Sequence, residues 1–427
     1  MKNKIAIISE HASPLATLGG VDSGGQNVYV AELSKYLSLS GNDLDIYTRW
    51  EDASLPKVIN WMHGIRVIHI EAGPKGVIAK EDLLPFMDQF RENMLSFIRN
   101  GKIMYSLIHA NFWMSGLVAA QLKEILSIPF VITFHALGQV RLLHQGDNDR
   151  FPAERVTIEA DIIRKADQII AECPQDKEDL MKLYGTPSFK ITTIPCGFSS
   201  KDFYPIDKIL ARKLLHLSHD ETIILQLGRI VPRKGIDNVI RSMVKLKNSK
   251  SRLLIVGGEF DESDVLSNPE IRRLHELANE LGVASKTNFI GRKNRDLLKF
   301  YYSAADIFVT TPWYEPFGIT PLESMACGTP VIGSNVGGIK YSVLNGETGL
   351  LVPPNDPEAL AQSIDRLVAD KQLLALMSKN CIKRVNSEFS WTNIARQADQ
   401  LFQRIILSNK HTSNLFPANS KTKTQAA

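Results

Sequence analysis

The stretch DIFVTTPWYEPFGITPLESMACGTPVIGS, residues 306–334, holds one complete unit of an α/β fold. An apolar run opens it, a loop with Pro316 and Gly318 follows, and a helical pattern then leads to a second apolar run. A strand, a helix and a strand in this order predict two parallel strands joined by a crossover helix. Because ligands of parallel sheets bind where strands end, the loop before the helix is a candidate binding site.

The same alternation of short apolar runs and longer helical patterns covers nearly the whole chain of 427 residues. It begins at KIAIIS, and after FYPIDK it restarts at TIILQLG, which favours two domains. The predicted fold class is α/β, with two Rossmann-like doubly wound domains facing across a cleft. We predict a first domain at 1–205, a second at 206–385, a helical segment at 386–408 and a disordered tail at 409–427. A single helical pattern is expected at 357–379. Whether the helical segment completes the second domain or crosses back to the first stays open.

Composition narrows the class of protein. Hydrophobic residues make up 44% and charged residues 22%, as in folded globular proteins, and a net charge of +4 gives no reason to expect nucleic acid as a partner. The N-terminal apolar run is too short for a signal peptide, and no run approaches the roughly 20 apolar residues of a membrane helix, so at most peripheral membrane contact is expected. Four widely spaced cysteines predict reduced thiols and a cytoplasmic location, namely Cys173, Cys196, Cys327 and Cys381.

A glycine-rich loop follows the first predicted strand. It contains Gly19, Gly20, Gly24 and Gly25, and a helix is expected to begin near Asn27. Glycines allow backbone N–H groups to approach a phosphate closely at the positive end of a helix dipole. The alternative is a flexible connector without a ligand.

Two other predicted strands are followed by cations and a histidine. Arg229 and Lys234 lie five positions apart across a proline-containing turn, a spacing that suits a pyrophosphate but also fits ordinary surface residues. His135 follows the strand in VITFHALGQV and precedes Arg141. A histidine at a strand end is either a structural residue or part of the site.

Two glutamates, Glu315 and Glu323, bracket the loop of the opening stretch. The prolines predict that Glu315 lies in the loop and Glu323 in the first turns of the next helix. Carboxylates accept hydrogen bonds from vicinal hydroxyls, so one glutamate suits a sugar and the other a ribose. A paired general acid and base, as in glycosidases, and a capping role for Glu323 are the alternatives.

Several familiar motifs are missing or poorly placed. Asp147 and Asp149 form a D-x-D pattern, but it lies in a polar loop, so we expect a solvated loop and no metal site. The chain has no G-x-S-x-G, no H-E-x-x-H and no Walker A sequence, and its first loop lacks the G-x-G-x-x-G spacing of nicotinamide enzymes.

Five segments in this order resemble the retaining GT-B glycosyltransferases of group 1, also called family 4, which include sucrose-phosphate synthase and the mycothiol-pathway inositol-phosphate glycosyltransferase. The segments are GGVDSGGQNVYV, AKEDLLPF, FHALGQVR, GRIVPRKG and EPFGITPLE. The resemblance runs from residue 1 to about 408. It implies transfer of a hexose, first of all glucose from UDP-glucose, to a sugar or sugar-phosphate acceptor without a metal or other cofactor.

The resemblance also implies a role for individual residues. The catalytic group would be His135, Arg229, Lys234 and Glu315. Donor binding would fall to Gly24, Gly25, Gly318, Ile319 and Glu323. Acceptor binding would fall to Asn27, Lys80, Arg141 and Arg155.

The acceptor side departs from the pattern of the inositol-phosphate enzymes. Phe112 and Ala136 stand where those enzymes carry a tyrosine and a threonine hydroxyl, which favours a phosphorylated hexose or another sugar. ADP- and GDP-sugars are the alternative donors. A nucleotide-sugar 2-epimerase on the same fold and a non-catalytic nucleotide-sugar-binding protein are the alternative functions.

Overall fold

A computed structural model of the chain describes residues 3–16, 24–258 and 268–415. Gly19 and Gly20 of the predicted phosphate loop, and residues 416–427 of the predicted tail, lie outside the described residues. Within the described ranges, no helix is both long enough and apolar enough to cross a membrane.

The first domain contains an eight-stranded sheet covered by helices on both faces. Its strands are β1 (Lys4–Ile8), β2 (Asp43–Arg49), β3 (Val58–Met62), β4 (Ile65–Ile70), β5 (Leu107–Asn111), β6 (Phe130–Thr133), β7 (Gln168–Ala171) and β8 (Ile191–Thr193). Its helices are α1 (Gly25–Leu39), α2 (Met87–Asn100), α3 (Trp113–Leu126), α4 (Gly138–Gln145), α5 (Arg155–Lys165) and α6 (Pro174–Tyr184). The spatial order is β3-β4-β2-β1-β5-β6-β7-β8, and all neighbours are parallel except the edge pair β3 and β4.

The second domain contains a six-stranded sheet. Its strands are β9 (Thr222–Leu227), β10 (Ser251–Val256), β11 (Thr287–Gly291), β12 (Ile307–Thr310), β13 (Val331–Ser334) and β14 (Gly349–Val352). Its helices are α7 (Lys208–Leu214), α8 (Ile236–Met243), α9 (Pro269–Glu280), α10 (Arg295–Ala304), α11 (Ile319–Ala326), α12 (Ile339–Ser342), α13 (Pro357–Ala369) and α14 (Lys371–Glu388). The order β11-β10-β9-β12-β13-β14 is fully parallel and is the Rossmann order.

The strand order of each sheet reverses at one point, between β1 and β5 in the first domain and between β9 and β12 in the second. Loops that leave neighbouring strands at such a switch point diverge to opposite faces of the sheet and open a crevice. The predicted glycine loop follows β1, Arg229 follows β9, and Glu315 follows β12. The fold therefore directs the predicted site residues of both domains to crevices at the strand ends.

A last helix, α15 (Trp391–Leu415), returns to the first domain. It packs against α1, and the Asn42 side chain donates a 2.8 Å hydrogen bond to Asp399 on α15. A continuous apolar core includes Tyr29 of α1, Trp391 and Phe402 of α15, and Phe308 of the second sheet. The chain thus crosses between the domains twice.

Two helical predictions differ from the structure. The single helical pattern expected at 357–379 is split, because Asp370 caps α14 by accepting a 2.8 Å hydrogen bond from the backbone N–H of Leu373. Residues 409–415, which we assigned to the disordered tail, continue helix α15.

Candidate active site

A cleft of ≈ 880 Å³ lies between the two domains and is lined by residues of both. Twelve of the thirteen predicted site residues, all of which fall within the described ranges, line it; Arg155 does not. Nine arginines and lysines line the cleft against four glutamates. The chain is only weakly basic as a whole, so its excess positive charge is concentrated where an anionic ligand would enter.

Lys234 and Glu315 form an ion pair on the second-domain side of the cleft. Lys234 Nζ donates a short hydrogen bond to Glu315 Oε2, and Arg233 Nη1 lies 3.8 Å from the same oxygen. The backbone at Gly235 has a φ of +64°, and a Cβ there would lie 2.0 Å from the carbonyl oxygen of Thr311, so only glycine allows the Lys234 turn to approach the end of β12. The two side chains meet because Lys234 follows β9 and Glu315 follows β12, and these strands are neighbours in the second sheet.

The electrostatics of this pair follow from burial and from neighbouring charge. Burial is the largest influence on Lys234 and lowers its pKa to about 8, although Glu315 opposes the shift. Burial raises the pKa of Glu315, but the attraction of Lys234 and Arg233 outweighs it and holds that pKa below its usual value. At neutral pH Glu315 is therefore a carboxylate and Lys234 is mostly an ammonium.

Two side chains of α10 hold the carboxylate of Glu323. Arg295 Nη1 lies 3.1 Å from Glu323 Oε1, and the Tyr302 hydroxyl donates a 3.0 Å hydrogen bond to Glu323 Oε2. Burial raises the pKa of Glu323, and the positive charge of Arg295 partly offsets that increase. We predicted neither Arg295 nor Tyr302. Arg295 could have been found, because it follows the end of β11 just as Arg229 follows the end of β9.

Across the cleft, the N-terminus of α1 faces the second domain. A Cβ on Gly24 would lie 3.5 Å from Nε of Arg229, and one on Gly25 would lie 3.9 Å from the side chain of Ile319. Asn27 holds this turn in place, because its Oδ1 accepts from the backbone N–H of Gly24 at 2.8 Å and its Nδ2 donates to a carbonyl at 2.9 Å. The structure therefore makes Asn27 part of the support of the α1 N-terminus as well as of the cleft lining.

Backbone N–H groups are available from a second helix end. Gly318, at a φ of +89°, precedes the first residue of α11, Ile319, and both line the cleft. The first N–H groups of a helix have no partner within it and attract anions. The two helix N-termini, α1 and α11, thus lie on opposite sides of one cavity.

His135 is fixed through both ring nitrogens. Its Nδ1 lies 3.1 Å from Glu172 Oε1 and its Nε2 lies 3.1 Å from Asn111 Oδ1. The backbone has a φ of +58°, and the ring packs edge-on against Tyr29 at 4.8 Å. Glu172 also lines the cleft and was missed, although it follows β7 directly.

His11 is a second histidine in the cleft that sequence reasoning missed. Its Nδ1 lies 2.8 Å from Glu10 Oε1, while Glu10 Oε2 accepts a short hydrogen bond from the hydroxyl of Ser115. The carboxylate is an acceptor on both oxygens, so Nδ1 of His11 is the donor. Among the described residues Nε2 has no hydrogen-bond partner, and it is free to accept a bond from a ligand hydroxyl.

The predicted acceptor-side cations, Lys80 and Arg141, also line the cleft. Arg141 is paired with Asp149 through a 2.8 Å contact, and the Asp149 side chain is only 3% exposed. The prediction of a solvated D-x-D loop is therefore wrong for Asp149, whose carboxylate orients a cleft arginine. In the described part of the chain, no group of three or more His, Cys, Asp and Glu side chains is arranged to hold a metal ion.

Arg155 occupies a different environment from the one we predicted. Its guanidinium is buried, its Nε donates a 2.8 Å hydrogen bond to Glu159, and it stacks near the rings of Phe112 and Phe151. It lies behind Phe112, which lines the cleft while Arg155 does not. Arg155 therefore supports the cleft wall by packing behind Phe112.

The chain was compared with known proteins. The family described as Glycosyltransferase Family 4 matches residues 23–201, and the family described as Glycosyl transferases group 1 matches residues 207–384. A D-inositol 3-phosphate glycosyltransferase of Catenulispora acidiphila is 33% identical over 415 residues, covering 95% of this chain and 96% of the relative. The chain belongs to the group 1 glycosyltransferases.

Solved structures agree with this membership. The sucrose-phosphate synthase of Thermosynechococcus elongatus superposes on this group 1 glycosyltransferase with a TM-score of 0.88 and 36% identity, over 95% of this chain and 100% of that one. HepE of Anabaena in complex with UDP-glucose shares the fold, with a TM-score of 0.74 and 20% identity over 94% of this chain and 100% of that one. The predicted GT-B fold and the predicted enzyme class are confirmed.

Proposed function

We propose that this glycosyltransferase moves a hexose, most simply glucose, from a nucleotide diphosphate sugar to a sugar or sugar-phosphate hydroxyl, with retention of the anomeric configuration. The observation that carries the proposal is the grouping of Lys234, Glu315 and Arg229 opposite the N-terminus of α1 in one cleft. Cations and helix N-termini suit a diphosphate, while Glu315 suits the sugar hydroxyls beside it. In this proposal Glu323, whose carboxylate is held by Arg295, accepts from the ribose.

The chemistry of the donor fits these groups. Cleavage of the bond between the sugar and the diphosphate builds negative charge on the leaving phosphate oxygens. Lys234, Arg229 and the helix N–H groups stabilise that charge from fixed positions, and no metal ion is required for this role. In the proposed front-face displacement, the acceptor hydroxyl attacks from the side of the leaving group, its oxygen bonds to the anomeric carbon, and its proton passes to a phosphate oxygen.

The acceptor is expected near the first-domain wall. His11 Nε2 can accept a hydrogen bond from an acceptor hydroxyl, and Lys80 and Arg141 supply positive charge for a phosphate. A phosphorylated hexose such as fructose 6-phosphate is our first candidate. Inositol phosphate is the second, because the 33% identical relative is named for it, although the apolar ring of Phe112 lies beside His11 at 4.8 Å where the inositol-phosphate enzymes carry a hydroxyl.

The identity of the nucleotide is the least constrained part of the proposal. Glutamates and backbone N–H groups recognise ribose and diphosphate, and these are common to all nucleotide sugars. UDP-glucose is therefore the first donor to test, followed by ADP- and GDP-sugars.

One experiment tests the proposal. The purified protein is incubated with UDP-, ADP- or GDP-glucose, each alone and with fructose 6-phosphate, glucose, fructose or inositol phosphate, and nucleoside diphosphate release is measured together with the product's anomeric proton by NMR. Release that requires an acceptor and yields the α-anomer supports retaining transfer. Isomerisation or hydrolysis of the donor without an acceptor would contradict it in favour of epimerase or hydrolase activity, and tight binding without turnover would indicate a non-catalytic protein.

A further inference from the structure

The cleft is bridged near its acceptor side by a contact between the two domains. Tyr314 of the second domain stacks on His144 of α4, with ring centroids 4.9 Å apart and planes 18° apart. Its hydroxyl accepts a 2.5 Å hydrogen bond from Nε2 of Gln145, also on α4. Tyr314 is only 6% exposed, and its hydrogen bond to Gln145 is part-buried at the edge of the cleft.

The amide of Gln145 has a partner on each side. Its Oε1 accepts from Nη2 of Arg141 at 3.3 Å, one helical turn earlier, while its Nε2 donates to Tyr314. Arginine can only donate, so the orientation of the amide is set by chemistry: oxygen towards Arg141 and nitrogen towards Tyr314. The same Nη2 of Arg141 also donates a 2.8 Å hydrogen bond to Asp149 Oδ1, which fixes the position of the guanidinium.

The far end of this chain of contacts is the donor site. Tyr314 directly precedes Glu315, whose carboxylate pairs with Lys234. On the other side of Glu315, the carbonyl of Pro316 accepts a 3.3 Å hydrogen bond from the thiol of Cys173 in the first domain. The loop that carries Glu315 is therefore held by the first domain on both sides of that residue.

We propose that Gln145 and Tyr314 are positioning residues that tie the Glu315 loop to the acceptor-side cation Arg141, so that Glu315 is correctly placed only when α4 is docked. This inference rests on the proposed function and adds to it a physical connection between the two substrate subsites. Because such coupling is reciprocal, occupation of one subsite favours binding at the other through the same contact.

The test is a double-mutant cycle of Gln145→Leu and Tyr314→Phe, with UDP-glucose as donor and fructose 6-phosphate as acceptor. Tyr314→Phe keeps the ring on His144 and removes only the hydroxyl. Each single variant is expected to lower the transfer kcat by about two- to tenfold, the range of one hydrogen bond, and the double variant to lose no more than either single one. Affinity for UDP, which lacks the sugar that Glu315 would contact, should remain that of the wild type.

The matched control is Gln175→Leu. Gln175 accepts a 2.7 Å hydrogen bond from Lys340 across the same domain boundary, but it does not line the cleft or contact Arg141. This variant should transfer at the wild-type rate. Fully additive losses in the cycle, or an equal loss in Gln175→Leu, would overturn the inference and indicate general loosening of the domain contact.

Hydrogen exchange provides a readout that does not depend on turnover. Gln145→Leu should speed the exchange of backbone amides in residues 313–318, whereas Gln175→Leu should leave them unchanged. If the wild type shows no acceptor-dependent transfer from any donor of the panel, the proposed function fails, yet this measurement still decides the link. Unchanged exchange at 313–318 in Gln145→Leu would overturn it.

Discussion

Lys234 and Glu315 neutralise each other in the cleft through a direct hydrogen bond. A diphosphate that binds Lys234, and a sugar hydroxyl that binds Glu315, must share or replace that contact. The pair thus fixes one cationic and one anionic group side by side in the cleft, and groups held in fixed positions reduce the reorganisation needed for catalysis.

Replacing Lys234 by alanine should lower the transfer rate by about 10²- to 10³-fold, the range found when one fixed donor to a developing oxyanion is removed. The measurement is kcat from nucleoside diphosphate release. Lys208→Ala is the control, because Lys208 forms an exposed pair with Asp306 outside the cleft. An undiminished rate in Lys234→Ala would show that this lysine does not face the leaving group.

The pKa of about 8 for Lys234 predicts a pH dependence. In the proposed mechanism the protonated ammonium of Lys234 binds the diphosphate, so donor kcat/KM should be constant below this value and fall as pH rises through 8. Since kcat/KM reports groups of the free enzyme, the loss should appear there first. Lys234→Arg should move the fall to higher pH, because arginine stays charged throughout this range; a fall at the same pH in that variant would assign it to another group.

Tyr302→Phe should raise the KM for UDP-glucose with a smaller effect on kcat. The variant removes one of the two side-chain contacts that hold the Glu323 carboxylate, and a hydrogen bond to a charged group is worth about 1.5–3 kcal/mol, or roughly 10- to 150-fold in binding if it is lost in full. Glu323→Leu should have a larger effect, since it removes the proposed ribose acceptor and leaves Asp202 as the remaining acidic neighbour of Arg295. A normal KM in Glu323→Leu would exclude the ribose role.

Arg155→Ala should lower the stability of the protein and have little effect on acceptor binding. Removing one partner of a buried ion pair typically costs about 3–5 kcal/mol, and the Arg155–Glu159 pair is almost fully buried. Arg141→Ala is the matched comparison, because Arg141 lines the cleft and is more exposed than Arg155, and it should raise the acceptor KM with a smaller fall in melting temperature than Arg155→Ala. A stable Arg155→Ala protein with a raised acceptor KM would restore the acceptor role that the resemblance implied.

Strand ends could be located from the sequence because buried parallel strands are short apolar runs. Among the described residues, the runs that predicted strands, such as KIAIIS, TIILQLG and DIFVTT, coincide with strands. The strand β3 was not predicted, because it is a partly exposed antiparallel edge strand whose residues, VINWM, mix polar and apolar side chains. The cap at Asp370 was readable but overlooked, since aspartate before a helical run commonly marks a new helix.

Contacts between distant parts of the chain could not be predicted in the same way. Glu10 acquires its role from Ser115, which is 105 positions away, and Tyr314 meets Gln145 across the domain boundary. Arg155 was placed at the acceptor by a motif, whereas the packing of Phe112 and Phe151 decides its position. Motifs identify the loops that meet at the cleft, but three-dimensional packing decides which side chains face it.

The return of α15 to the first domain has a consequence for biosynthesis. The surface of α1 that packs against α15 is completed only by Trp391, Phe402 and their neighbours, which leave the ribosome after the strands of both domains. The N-terminal half of the nascent chain therefore cannot finish its core while the second half is being made, and its apolar surface stays exposed during that interval. We expect a fragment that ends near residue 205 to aggregate when expressed alone and to be rescued by co-expression of the segment that contains α15.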